Sequence, residues 1–253
     1  MWTILANPHR FLGFSKTAIP IAIGLGLLLS AWSLYRGLWV VPPVPDQGGD
    51  IARAMFVHVP SAWLSMGLYA GLAGASFVWF IWRHELADVA ARAIAPIGAG
   101  YTALCFATGA IWGEPTWGPA WRNVILYDSR LMSVLVLLFL FLGYMALRAA
   151  LETRQKAARA GAILAMVGVI NLPIIKFSVD LWKESTIHQG SSVIRIGEAA
   201  AESAGIHPVF LVPLMIGFFG QLLFVSGLIM LLMRAEIFGQ QADAILARRL
   251  SGS

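Results

Sequence analysis

The sequence contains few charged residues and almost no cysteine. Of its 253 residues, 12% are charged and 58% are hydrophobic. A soluble globular domain carries about 25% charged residues, so this chain lacks the polar surface of an ordinary water-soluble enzyme. Cys105 is the single cysteine, which excludes a small secreted domain held together by disulfides. A disordered chain is also excluded, because it requires low hydrophobicity. A polytopic membrane protein remains.

Six apolar runs are long enough to cross a bilayer as helices, which requires about 20 residues each. The runs lie at 18–38, 61–82, 93–112, 131–148, 160–177 and 209–233. Membrane β-strands are shorter and alternate in polarity, so they do not fit these runs. The sequence therefore predicts an all-α integral membrane protein with six transmembrane helices, forming a single domain over residues 1–253.

The distribution of Lys and Arg predicts the orientation of the chain. An even number of spans places both termini on one side, together with the 83–92 and 149–159 loops. That side collects the denser positive charge: Arg10, Lys16, Arg83, Arg92, Arg148, Arg154, Lys156, Arg159, Arg234, Arg248 and Arg249. The side richer in Lys and Arg faces the cytoplasm, so we expect both termini to be cytoplasmic. The net charge of +5 indicates weak attraction to the lipid bilayer rather than a nucleic-acid partner, because no basic patch is present.

A tryptophan-rich segment, Trp112-Gly-Glu-Pro-Thr-Trp-Gly-Pro-Ala-Trp121, lies on the outer side. Its two Trp-Gly pairs alternate with prolines, which predicts a rigid, non-helical loop, assigned to 112–133, that presents several indoles. Such a cluster is typical of a platform for a flat apolar ligand. The alternative is an interfacial aromatic belt. For three other tryptophans, the belt and a role in ligand binding are equally good interpretations: Trp39, Trp63 and Trp182.

Two outer histidines flank this segment. His58 precedes the second span, and His188 lies between the fifth and sixth runs. A single histidine at a helix end is usually an interfacial polar residue. A structural zinc ion needs about four protein ligands, which this side does not supply. Haem needs only one or two axial ligands, because the macrocycle supplies the other bonds to iron. Two imidazoles beside an aromatic floor therefore favour haem over a free metal ion.

Several other polar residues have structural interpretations. Asp128 or Ser129 can cap the fourth span, and we favour capping for Ser129. Glu184 could orient His188 if that stretch is helical. Asn171 is expected to bond a neighbouring helix, and Cys105 to serve as packing. Arginine forms paired hydrogen bonds with carboxylates, so one of three outer arginines could bind a carboxylate of the ligand. Their spacing in the sequence does not distinguish among Arg122, Arg130 and Arg195.

These segments resemble the haem-handling membrane proteins with a tryptophan-rich WWD signature. The signature is carried by Trp112 to Trp121 followed by Tyr127-Asp128-Ser-Arg-Leu-Met-Ser133. Phe56-Val-His-Val-Pro-Ser-Ala-Trp63, Ala95-Pro-Ile-Gly98, Gly168-Val-Ile-Asn-Leu-Pro-Ile-Ile175 and Ile187-His-Gln-Gly-Ser191 are similar to the protein C family of bacterial cytochrome c maturation. The resemblance extends over nearly the whole chain. The WWD segment differs from the family pattern, because Ala120 and Tyr127 stand where tryptophans are usual and the stretch between them is longer.

The resemblance implies a function and a set of partners. Haem b (Fe-protoporphyrin IX) would be bound as cargo on the periplasmic face of the inner membrane. His58 and His188 would be its axial ligands, and Trp112, Trp117, Trp121, Tyr127 and Asp128 would belong to the WWD platform. The protein would deliver haem to a periplasmic haem chaperone, protein E. A small membrane subunit, protein D, and an ABC transporter made of proteins A and B would take part.

Two other functions are compatible with an apolar six-span chain. A solute transporter of another kind would need ionisable residues along a path near the bilayer midplane, and the runs contain almost none. A scaffold subunit that only packs against partners would leave the two Trp-Gly pairs unexplained. Motifs for nucleophilic catalysis or nucleotide binding are not found in the sequence, so we do not expect the chain to be an enzyme.

Overall fold

The computed structural model describes residues 7–45, 48–118, 122, 127–182 and 207–251. These residues form seven α-helices and contain no β-strand. In chain order the helices are α1 (Pro8–Tyr35), α2 (Met55–Trp82), α3 (Glu85–Trp117), α4 (Ser129–Ala150), α5 (Arg154–Gly168), α6 (Asn171–Leu181) and α7 (Pro208–Ser251). Within the same residues, six segments are long and apolar enough to cross a membrane, with α5 and α6 together making one. The prediction of an all-α protein with six spans is confirmed.

The fifth span is divided because Pro173 follows the start of α6. Proline has no backbone N–H, so the carbonyl of Val169 lacks its usual helical partner four residues on. The N–H of Leu172 donates to that carbonyl instead, at 2.9 Å. On α6, the side-chain amide of Asn171 donates to the Ser133 carbonyl of α4, also at 2.9 Å. The expectation that Asn171 bonds a neighbouring helix is therefore confirmed.

Small residues allow α1 and α7 to pack closely. A Cβ atom at Gly26 would lie 2.5 Å from the backbone nitrogen of Phe224, and one at Gly220 would lie 2.8 Å from the backbone nitrogen of Ser30. Such contacts let helix backbones approach one another in a membrane, where the hydrophobic effect does not drive association. Near the other end of this pair, the Ser33 hydroxyl donates to the carbonyl of Pro213 at 2.7 Å. α7 continues well beyond its apolar part, and residues 241–251 are exposed.

A buried ion pair joins α3 and α4 at the end of the bundle where α3 begins and α4 ends. The guanidinium of Arg148 donates to both carboxylate oxygens of Asp88, with Nη2 at 2.9 Å from Oδ2. The side chains are only 9% and 5% exposed, respectively. Arg148 Nη1 also donates to the Tyr144 hydroxyl at 2.9 Å. These two helices are therefore fixed to each other by charge as well as by apolar packing.

The opposite end of the bundle is organised by Arg53. Its guanidinium donates to the carbonyls of Leu38 and Val41 at the end of a short π-helical turn, Arg36–Val40, which continues α1. These carbonyls have no intrahelical partners at a helix end. The contact holds the segment before α2 against α1 and fixes the start of α2. His58 lies in the first turns of α2, so its position follows from this arrangement.

Candidate functional site

His58 is half-buried where α2 meets α3. Its Nδ1 atom lies 3.0 Å from the hydroxyl oxygen of Thr108. Its ring meets the indole of Trp112 edge to face, with 5.5 Å between the ring centroids and 65° between the planes. The structure therefore brings together one predicted axial ligand and one predicted member of the tryptophan platform.

One face of α3 forms this contact. Cys105, Thr108, Gly109 and Trp112 follow the i, i+3, i+4, i+7 pattern, which places them on the same side of a helix. A Cβ atom at Gly109 would lie 3.0 Å from His58 Cε1, so the imidazole lies directly on the backbone of α3. Cys105 is buried in the apolar core beneath them, as its interpretation as packing predicted.

The prediction of a non-helical turn is wrong for residues 112–117, because α3 continues through Trp117. Pro115 has no backbone N–H, so the hydrogen bond to the carbonyl four residues earlier is missing, but the helix is held by other bonds around it. The Thr116 hydroxyl donates to the Trp112 carbonyl at 2.7 Å, and the Gly118 N–H donates to the Glu114 carbonyl at 2.8 Å. Trp112 and Trp117 are five residues apart on this helix. Their side chains therefore point about 140° apart around its axis and do not form one flat surface.

The structure describes only some of the other predicted site residues. Trp117 is half-buried at the last turn of α3, and Tyr127 is 77% exposed just before α4. Trp121 and His188 lie outside the described residues, as does Glu184. The structure thus describes the surroundings of His58 and not those of the second predicted axial ligand.

Asp128, rather than Ser129, caps α4. The Asp128 carboxylate accepts a hydrogen bond from the backbone N–H of Leu131 at 2.9 Å. Ser129 is the first residue of the helix, so the capping role predicted for it is wrong. The prediction failed because α4 begins at Ser129 itself, one residue earlier than a cap at Ser129 requires. Ser129 Oγ is buried and has no hydrogen-bond partner among the described residues.

The structure separates the three arginines considered as partners of a ligand carboxylate. Arg122 is exposed and bound to Glu114, with Nε at 2.6 Å from Oε1, and this hydrogen bond raises the pKa of Arg122. Arg195 lies outside the described residues. Arg130 is half-buried in the first turn of α4, and its Nε donates to the Ser178 hydroxyl of α6 at 3.3 Å. Its neighbour Leu131 would contact a Cβ atom at Gly109 at 3.6 Å, so α4 begins beside His58.

A cavity of about 820 Å³ lies at the other end of the bundle, between α3, α4, α5 and α7. Two of the arginines that line it, Arg92 and Arg148, are held by Glu236 and Asp88. None of the described residues that line this cavity is a histidine or a cysteine. It therefore lacks the imidazole and thiolate donors common in haem sites, and the end that carries His58 is the better candidate site.

Two residues of the site were missed by sequence reasoning. Thr108 and Gly109 precede Trp112 by about one helical turn, and the predicted span at 93–112 already contains all three, so helical spacing places them on one face. The sequence does not indicate that this face contacts a histidine of another helix. Their contact with His58 also spans 50 residues of sequence, which no local pattern reveals.

Comparison with known proteins identifies relatives over nearly the full length. A family model described as Heme exporter protein C matches residues 1–248. Three bacterial proteins named Heme exporter protein C are among those similar to this chain. The one from Bradyrhizobium diazoefficiens is 45% identical over 84% of this chain and 76% of its own length. The one from Escherichia coli strain K12 is 42% identical over 92% of this chain and 91% of its own length. The one from Haemophilus influenzae is 39% identical over 96% of this chain and 95% of its own length.

The match of the family model covers almost all six spans and includes His58, Trp112 and Asp128. The family named from the WWD segment and the histidine motifs is the one that the comparisons find. The chain belongs to the Heme exporter protein C family.

Proposed function

We propose that this chain binds haem as cargo for cytochrome c biogenesis and passes it to a haem chaperone on the periplasmic side. His58 and His188 are the proposed axial ligands, and Trp112 covers one edge of the porphyrin. The observation that carries the proposal is the position of His58, half-buried and packed edge to face on Trp112 at a helix end. The names of the related proteins support haem as the cargo.

The chemistry around His58 fits a porphyrin. Imidazole is a common axial ligand of haem iron, and an indole face can pack on an extended π system. The Trp112 indole N–H is buried and has no acceptor among the described residues. Buried donors are nearly always hydrogen-bonded in native proteins, so a bound molecule with carboxylate groups would supply an acceptor.

Arg130 is the proposed partner of a haem carboxylate. It is half-buried on the first turn of α4, next to the residue that approaches Gly109 and His58. Guanidinium groups bind carboxylates through paired hydrogen bonds. Asp128 contributes by capping α4, which fixes the turn that carries Arg130. Trp121 and Tyr127 add aromatic surface to the proposed platform. Trp117 points about 140° away from Trp112 around α3, so its proposed contact with the cargo lies outside the surface that Trp112 forms.

The chain's own residues hold and orient the cargo, whereas the porphyrin supplies the group that is attached to the chaperone. Trp112 and the backbone at Gly109 restrict the plane of the His58 ring. The exposed ring of Tyr127 leaves an aromatic surface at the mouth of the site, where a chaperone could dock. Transfer requires at least one bond between iron and imidazole to be labile.

The proposed location is the bacterial inner membrane, with the His58 end in the periplasm. The denser Lys and Arg on the side of the termini support this orientation. The proposed partners are the haem chaperone protein E, the small membrane protein D, and the ABC transporter proteins A and B. The surface around Tyr127 is the proposed contact for protein E.

The test is the haem content of the full-length protein purified in detergent from haem-sufficient cells. We expect a Soret band that is lost or shifted in His58→Ala and in His188→Ala. His84→Ala is the matched control, because His84 precedes α3 at the opposite end of the bundle, and this variant should keep the wild-type spectrum. Unchanged haem content in both ligand variants would overturn the proposal. His207 directly precedes α7 at the His58 end of the bundle, where Phe210 packs on Phe56. Loss of haem in His207→Ala but not in His188→Ala would overturn the assignment of the second ligand.

A further inference from the structure

Thr108 contacts His58 at one ring nitrogen, and the other contacts of Thr108 bear on which ring nitrogen carries the proton. The Thr108 hydroxyl oxygen lies 3.0 Å from His58 Nδ1. The same oxygen lies 2.7 Å from the carbonyl oxygen of Leu104 and 3.2 Å from that of Cys105. The hydroxyl therefore has three polar neighbours, and their donor and acceptor roles can be worked out.

A hydroxyl group has one proton to donate and two lone pairs that accept. The Leu104 and Cys105 carbonyls can only accept, so the hydroxyl proton goes to them. The shorter contact, to Leu104, is the usual bond from a threonine to the carbonyl four residues earlier in a helix. The remaining capacity of the hydroxyl oxygen is to accept. This arrangement makes His58 Nδ1 the donor to Thr108, so Nδ1 carries a proton.

In a neutral imidazole, one nitrogen carries the proton and the other carries the lone pair that binds a metal. With the proton on Nδ1, the lone pair lies on Nε2. The contacts with Gly109 and Trp112 restrict the ring orientation at the same time. Tautomer and orientation are thus both set by one face of α3.

We propose that Thr108 is a positioning residue that holds His58 as the Nδ1–H tautomer and presents Nε2 as the nitrogen that binds iron. The iron-binding part rests on the proposed function. Metal-binding histidines usually donate their second N–H to a carboxylate, a backbone carbonyl or water, which increases the basicity of the ligand. A neutral hydroxyl is a weaker acceptor than a carboxylate. The bond from His58 to iron is therefore weaker than it would be with a carboxylate partner, which suits a protein that must release its cargo.

The decisive measurement does not require haem. The full-length protein is labelled with ¹⁵N-histidine, purified free of haem in detergent micelles, and its ring tautomers are read from two-bond ¹H–¹⁵N correlations. His58→Gln assigns the His58 signals by their disappearance. We expect the Nδ1–H pattern in the wild type and in Thr108→Ser, which keeps the hydroxyl. Thr108→Val, which keeps the shape without the hydroxyl, should shift the ring towards Nε2–H. An Nε2–H pattern in the wild type, or the same pattern in wild type and Thr108→Val, would overturn the proposal.

A second measurement follows the rate at which haem passes from the loaded protein to excess apomyoglobin. Changes at the groups that orient metal ligands typically cost about 10–100-fold in affinity. We therefore expect transfer from Thr108→Val to be faster by about that factor, and transfer from Thr108→Ser to remain near the wild-type rate. If His58→Ala binds haem normally, the proposed function fails, yet the tautomer measurement still decides the role of Thr108. Equal transfer rates in wild type and Thr108→Val would remove its effect on iron binding.

Discussion

The imidazole of His58 lies directly against the backbone of Gly109, where a Cβ atom would come within 3.0 Å of Cε1. This separation is shorter than ordinary van der Waals contact between carbon atoms. The absence of a side chain at residue 109 therefore lets α3 approach the ring this closely without displacing it. The relationship explains why a glycine is tolerated inside a helix, where it costs about 1 kcal/mol relative to alanine.

Gly109→Ala should weaken haem binding while leaving the fold intact. The added methyl group displaces the His58 ring by a few tenths of an ångström and disturbs its bond to Thr108. We expect haem affinity to fall by about 10-fold, the lower end of what a disturbed outer-shell contact costs a metal site. Haem titration of the purified protein, followed at the Soret band, measures this change.

Gly100→Ala is the matched control, because it lies on the same helix and a Cβ atom there would meet nothing within 4 Å. That variant should bind haem as the wild type does and should be slightly more stable, since alanine favours helix. Equal haem affinity in Gly109→Ala and Gly100→Ala would show that the contact with His58 does not constrain the ring.

Breaking the ion pair between Asp88 and Arg148 should strongly destabilise the bundle. Both side chains are almost completely buried, so removing either residue takes the main partner from a buried charge, although Arg154 Nε stays 3.8 Å from Asp88 Oδ2. Such changes cost about 3–5 kcal/mol. We expect Asp88→Leu and Arg148→Met each to lower the thermal midpoint measured in detergent.

The double variant Asp88→Leu, Arg148→Met should be more stable than either single variant, because it leaves no buried charge without a partner. All three variants alter the end of the bundle opposite His58, so any protein that remains folded should keep its haem spectrum. Strictly additive losses of stability in the double variant would contradict this account.

The cap at Asp128 should contribute to stability through its hydrogen bond rather than through its charge. Asp128→Ala removes the acceptor for the Leu131 N–H and should cost about 1 kcal/mol. Asp128→Asn keeps a good capping oxygen and should stay near the wild type in thermal unfolding. If Asp128→Asn lost as much stability as Asp128→Ala, the negative charge rather than the cap would be the important property.

Close packing between α1 and α7 predicts a sharp difference between two glycines of α1. Gly26→Ala would drive a methyl group into the backbone of α7 near Phe224, and overpacking of this kind costs about 1–3 kcal/mol. Gly24→Ala is the control, because no atom lies within 4 Å of the position of its Cβ. Thermal unfolding should separate the two variants, and similar midpoints would argue against a tight interface.

The six spans could be predicted from the sequence because length and apolarity decide membrane insertion almost alone. The ends of the helices could not, because polar residues beyond the apolar runs continue the helical backbone. α3 illustrates this, since it extends through Pro115 to Trp117. The choice between Asp128 and Ser129 as cap depended on a one-residue difference in the start of α4, and helix boundaries are the least reliable part of such predictions.

The sequence indicated His58 and Trp112 as candidate site residues, because imidazole and indole have distinctive roles, and the structure packs these two rings together. Their role in binding stays a prediction. The other partners of His58 could not be predicted. Thr108 reaches it only through the register between α2 and α3, which is set by packing along the whole interface. The same applies to Asp88 and Arg148, which are 60 residues apart. Contacts of this kind follow from tertiary structure and leave no local pattern.

The length of α7 has a practical consequence for studies of this protein. At about 1.5 Å per residue, its 44 residues extend for roughly 66 Å, about twice the hydrocarbon thickness of a bilayer. Its last turns, residues 241–251, are exposed to solvent. A reporter fused after Ser251 would stand clear of the other helices and far from His58, so it could reveal which compartment holds this end of the chain without disturbing the cargo site.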